Sequence, residues 1–130
     1  MDQIRLTDAE WQVMEALWEL SPQTGRELTE RLEASVGWNR STTLTLLRRL
    51  EAKGAVETGY SEGKKIFQPL LRREDAAMKE AEGFLSRVYR GSLSLMVSSF
   101  AQRKLLSEAD RKELSTLLRE LEENDGRLDP

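Results

Sequence analysis

WNRSTTLTLLRRLEAKG, residues 38–54, begins beside a residue suited to cap a helix, Asn39, and ends on one suited to stop it, Gly54. Between them the side chains sort at the helical period. Thr43, Leu46, Leu47 and Leu50 share one face. Ser41, Leu44, Thr45 and Arg48 share the opposite one, with Arg40 and Arg49 at its flanks. The spacing predicts a helix with an apolar side to bury and a cationic, hydroxyl-bearing side to present.

Two helices are expected upstream. LTDAEW places Thr7 as N-cap with Glu10 three residues on, a capping box, and puts Leu6 and Trp11 at the positions of a hydrophobic staple. Val13, Met14, Leu17 and Trp18 then repeat at helical spacing to about Leu20, before SPQ. TGRELTERLEAS repeats the device with Thr24 and Glu27, and its single stripe is Leu28 and Leu32. Downstream, Val56–Tyr60 and Lys65–Gln68 read as two short strands about the SEGK turn, which carries Gly63 and places Lys64 and Lys65 at the tip. Three short helices followed by a hairpin make a mainly α fold, a winged helix-turn-helix domain over residues 1–72.

From residue 73 the pattern is wholly helical. Met78, Ala81, Leu85 and Val88 form one stripe, and Gly91 interrupts it. Leu93, Met96, Val97 and Phe100 form a second. Ser107 caps a third, made of Leu114, Leu117, Leu118 and Leu121. Burying one such side chain contributes about 1.5–3 kcal/mol, and three short helices cannot hide all these stripes from one another. Either they pack back on the N-terminal domain or a second copy of the chain covers them. A helical dimerisation domain over 73–124 is the simpler expectation, with a frayed tail at 125–130.

Charge is unevenly placed. Residues 1–38 hold 3 basic and 8 acidic side chains, residues 39–73 hold 8 and 3, and residues 74–130 hold 9 and 12. The overall charge of −3 therefore conceals a positive band. Local charge governs association, because the Debye length at physiological salt is only about 8 Å. The chain has no cysteine and no histidine. Disulfides, thiolate nucleophiles, zinc sites built on Cys or His, and imidazole catalysis are excluded. No Gly-rich phosphate loop accompanies the acids, so neither an enzyme nor a cofactor is expected. No apolar run approaches the roughly 20 residues of a membrane helix, and MDQIRLTDAEW lacks the layout of a signal peptide. A cytoplasmic protein without direct membrane association is expected.

A major groove admits one helix, and the entering face must be small, polar and positively flanked. Ser41 and Thr45 meet that need, and Arg48 is long enough for a guanine edge or a phosphate. Leu44 either meets a thymine methyl or is a spare apolar residue. Thr42 and Arg49 suit helix packing and backbone phosphates better than bases, and Lys64 and Lys65 suit phosphates beside the groove. A face of so few cations needs two bound domains for useful affinity.

Several segments together resemble the penicillinase repressor family, the BlaI/MecI type, over nearly the whole chain. They are LTDAEWQVMEALWE, STTLTLLRRLEAKGAV, KKIFQPLL, FLSRVYRGSLSLMVSSF and LSEADRKELSTLLRELE, in that order. The matching positions are Ala9-Glu10-Trp11, Val13-Met14, Thr42, Thr45, Leu46, Arg49-Leu50, Lys53-Gly54, Ile66-Phe67, Phe84 and Val88-Tyr89.

The resemblance implies a homodimeric repressor with intertwined C-terminal helices, among whose contacts Tyr89 joins the stripes above. Its double-stranded DNA operators would be palindromes near β-lactamase or related resistance promoters. It further implies a membrane-bound zinc-metalloprotease sensor as partner, and cleavage in the dimerisation region before a phenylalanine. Ser99-Phe100 matches that bond, with Ser99 where the family usually has Asn. Two other departures are Leu44, near a position basic in better-known members, and the absence of the C-terminal cysteines of a copper-responsive branch. Rival readings are a repressor released by a small molecule, a winged helix used only for protein contact, and a carboxylate enzyme.

Overall fold

Two threonines start the first two helices by the same exchange. Thr7 Oγ1 accepts from the Glu10 amide at 3.1 Å, and Glu10 Oε1 accepts from the Thr7 amide at 2.8 Å. Thr24 and Glu27 repeat it at 3.1 and 2.8 Å. Each box occupies N–H groups that a helix start leaves open, and together they fix α1 (Asp8–Glu19) and α2 (Gly25–Val36). Asn39 caps α3 (Arg40–Lys53) by accepting from the Thr42 amide at 2.9 Å. Gly54 ends it at φ 81°, a left-handed conformation that glycine adopts without strain. The computed structural model describes residues 4–128, with side chains described through Asn124.

The wing is β2 (Val56–Ser61) and β3 (Lys64–Pro69), antiparallel, with Ser61 opposite Lys64. The loop is only Glu62 and Gly63, at φ 53° and 78°. Two consecutive positive φ values suit the twist of a tight hairpin, so pairing continues closer to the turn than residue composition indicates. A further strand, β1 (Gln23–Thr24), pairs with the other edge of β3 and gives the sheet order β1-β3-β2. Two residues beside Pro22 carry no alternation that could reveal it. Gln23 is buried there. Its Nε2 donates to the carbonyls of Ala16 at 2.9 Å and Leu20 at 2.5 Å, which the end of α1 leaves open.

The core of this unit combines Val13, Met14 and Leu17 from α1, Leu28 and Leu32 from α2, and Leu46, Leu47 and Leu50 from α3. Ala55, Val56 and Phe67 close it from the wing side. The apolar face predicted for α3 is thus the buried one. Glu10, at 1 % exposure, is the one buried ionisable group among the described residues; its Oε1 also accepts from Lys53 Nζ, and Lys53 donates to the Arg5 carbonyl at 2.7 Å. The start of α1 is thereby tied to the last turn of α3.

The chain divides into two units, Met1–Ala81 and Glu82–Pro130. The division falls inside α4 (Arg73–Tyr89), later than the boundary at 72/73 read from the sequence. The reason lies in the first turn of α4. Arg73 donates to both oxygens of Glu15 in α1, at 2.9 and 3.1 Å, and Ala76 is buried. The second unit holds the rest of α4, then α5 (Leu93–Gln102) and α6 (Glu108–Leu128). Helical backbone runs through Leu128, into the stretch expected from the sequence as a frayed tail over 125–130; residues 129 and 130 lie outside the described residues. Gly126 disfavours a helix by only about 1 kcal/mol relative to alanine, too little to end it.

Burial works to raise the Glu10 pKa, yet the Lys53 ammonium and the Thr7 amide outweigh it and hold the carboxyl below its ordinary value. A depressed carboxylate stabilises the fold above its unfolded pKa, and the contribution is lost as pH falls through the folded pKa. Lys53→Met should therefore lower the urea unfolding free energy at neutral pH by about 2–3 kcal/mol, because it leaves a buried carboxylate without its cation. The gap between parent and variant should narrow as pH is taken below the carboxylate range.

Candidate nucleic-acid interface

On α3, Arg40, Ser41, Thr42, Thr45, Arg48 and Arg49 are all exposed. Thr42, read from the sequence as suited to helix packing and backbone phosphates, is exposed, and its amide is engaged by Asn39. Leu44 departs from the exposed stripe. It is half-buried against the core, and a Cβ placed on Gly25 would stand 3.5 Å from Leu44 Cδ2 and 3.7 Å from Phe67 Cε2. With about 100° between successive residues, Leu44 falls at the rim between buried Thr43 and Leu47 and the outer face. It can reach inward, and the glycine at the start of α2 leaves it room.

Lys64 and Lys65 are both exposed, but successive strand residues point to opposite faces. Lys65 shares its face with Phe67, its Nζ 5.6 Å from that ring's centre. With Leu44, Leu47, Arg48, Glu51 and Phe67 it lines an open cleft of about 140 Å³ between α3 and the wing. Lys64 lies on the other face. Its charge adds slightly to the lowering of the Glu27 carboxyl, which is due mainly to the Thr24 amide. The sequence reading put both lysines on one tip; the structure brings only Lys65 beside Arg48. Glu51 was not anticipated at all. It accepts from Thr58 Oγ1 at 3.2 Å and so links the end of α3 to β2. Its identity as a carboxylate on a cationic face gave no signal of that role.

Five cations have carboxylate partners: Arg26 with Glu30, Arg31 with Glu19, Arg72 with Glu74, Arg73 with Glu15, and Lys53 with Glu10. Among the described residues, Arg40, Arg48, Arg49, Lys64 and Lys65 have no carboxylate in salt-bridge range. All five cations singled out in the sequence thus keep an unspent positive field. This is the arrangement that attracts a polyanion.

A second surface lies in the C-terminal helices. No side chain from Glu82 to Asn124 is buried. Val88, Leu93, Leu117, Leu118 and Leu121 are exposed, as is Met78 in the first part of α4. Leu85, Tyr89, Met96, Val97, Phe100 and Leu114 are only half-buried. Ser99 and Phe100 sit inside α5, where Ser99 Oγ donates to the Leu95 carbonyl at 2.8 Å. No helix among the described residues is long and apolar enough to cross a membrane.

Three helices, a β-hairpin wing and an unpaired cationic face on the third helix define a winged helix-turn-helix protein. The family model described as penicillinase repressor matches residues 6–120, and the chain belongs to that family. It is 32% identical over 117 residues to a penicillinase repressor of Bacillus licheniformis, covering 89% of this chain and 91% of the relative. It is 29% identical over 115 residues to the methicillin resistance regulatory protein MecI of Staphylococcus aureus strain N315, covering 87% and 92%. Among solved structures, the monomeric form of B. licheniformis BlaI in complex with the blaP half-operator superposes with a TM-score of 0.51 at 28% identity. That match covers 55% of this chain and 88% of the other.

If these cations serve an external partner, the fold does not need them. Arg48→Gln and Lys65→Gln should each leave the urea unfolding free energy within about 0.5 kcal/mol of the parent. A loss of 2 kcal/mol or more, on the order of a broken buried pair, would assign them a structural role instead.

Proposed function

We propose that this chain is a homodimeric repressor of resistance genes of the β-lactamase type, seated on a palindromic DNA operator. The observation that carries the reading is the set of five cations without carboxylate partners on α3 and the wing, in a chain whose net charge is negative. In this reading α3 enters the major groove. Ser41 and Thr45 meet base edges or phosphates, Arg48 meets a guanine edge or a phosphate, and Arg40, Arg49, Lys64 and Lys65 neutralise the backbone. Leu44, turned toward the core, contributes little to base contact. The half-operator complex of the B. licheniformis protein supports one domain per half-site.

Two copies join through the stripes of α4, α5 and α6. Tethering makes the second half-site encounter intramolecular, so separating the copies lowers affinity by about 10²–10⁴-fold. Release follows cleavage at Ser99–Phe100 by a membrane-bound zinc-metalloprotease that senses the antibiotic. A protease takes an extended strand, so α5 must open first. With no fully buried side chain in α5, that opening is easiest in a separated copy.

Selection of bound duplexes from random DNA tests the reading. It should return two inverted half-sites at a fixed spacing. Arg48→Ala should weaken binding to the selected duplex by about 1–3 kcal/mol, with relaxed preference at one base pair if it reads a base and a uniform loss across sequences if it holds a phosphate. Recovery of no preferred sequence would contradict the function.

A further inference from the structure

Tyr60 is the most exposed large hydrophobic side chain of the described chain, at 76 %. It stands at the far end of the wing, directly across β2–β3 from Lys65. Cross-strand partners share a face of the sheet, so Tyr60 lies with Lys65, Thr58 and Phe67 on the side that meets α3. That face also carries the cleft in which Lys65 and Arg48 come together. Its ring has no aromatic partner among the described residues, unlike Trp11 with Trp18 or Phe84 with Tyr89. An exposed aromatic in isolation is ordinary. One that extends a patch of unpaired cations, with a hydroxyl at its outer end, matches a surface that is apolar along its sugars and anionic at its edge.

We infer that Tyr60 is a DNA-contacting residue of the wing, its ring laid on a deoxyribose and its hydroxyl donating to the adjoining phosphate. The inference rests on the DNA-binding function proposed above. It assigns Tyr60 a task distinct from that of Lys65. The lysine supplies charge, and displaces a counterion when it binds; the tyrosine supplies contact area and a neutral donor, and displaces none.

The two tasks separate in a salt titration. The probe is the duplex that the parent protein selects from random DNA, measured by fluorescence anisotropy. Tyr60→Ala should lower affinity about tenfold and Tyr60→Phe about threefold, both without changing the slope of log K against log salt. Lys65→Ala should reduce that slope by about one. Thermal melting of each variant within a degree or two of the parent confirms that the fold is intact, as expected for an exposed position. Tyr60→Ala bound as tightly as the parent would overturn the inference while leaving the function standing. A changed slope in Tyr60→Ala would also overturn it, since the loss would then be electrostatic. A parent that binds no duplex would overturn both.

Discussion

An amphipathic helix has to place its apolar stripe somewhere dry, and in this chain the two units meet that demand differently. In the N-terminal unit, α1, α2, α3 and the wing close on one another around Met14, Leu17, Leu28, Leu47 and Leu50, each essentially free of solvent contact. From Glu82 to Asn124 the same kind of pattern leaves no side chain fully buried, and Phe84, Val88, Leu93, Leu95, Leu105, Leu117, Leu118 and Leu121 remain exposed. At about 1.5–3 kcal/mol for each side chain taken from exposed to fully buried, and with these eight already about half covered, completing their burial would contribute on the order of 6–12 kcal/mol. That is as large as the net stability of an ordinary domain. The proposed dimer follows from that quantity, and the proposed bivalent grip on DNA follows from the dimer.

The N-terminal unit shows how an acidic protein can hold a cationic face ready. Its paired ions hold parts of the fold together: Glu10 with Lys53 joins the ends of α1 and α3, and Glu15 with Arg73 sets the first turn of α4 on α1. The other cations of α3, and those of the wing, are left out of those pairs. Position does the sorting. Lys53 in the last turn of α3 points to the start of α1, whereas Arg40, Arg48 and Arg49 occupy the side of the same helix turned away from the core. One helix thus carries both a structural cation and a set free to meet a ligand.

Most of this was legible in the residues because the signals were local. Capping boxes at Thr7 and Thr24, the Asn39 cap and the Gly54 stop are each written within a few residues, and the 3.6-residue period names the buried face of α3. What escaped depends on residues far apart in sequence. The strand at Gln23–Thr24 exists only because β3 lies beside it, and the inward lean of Leu44 only because Gly25 leaves space. The different faces taken by Lys64 and Lys65 depend on a two-residue turn whose tightness composition underestimates. The split inside α4 reflects the clasp between Arg73 and Glu15, a pair separated by most of the domain.

Sedimentation of the full chain at micromolar concentration, without DNA, tests most directly whether a second copy supplies the missing core. The account predicts a single species at twice the 14.9 kDa of the chain. A single species at 14.9 kDa would contradict it.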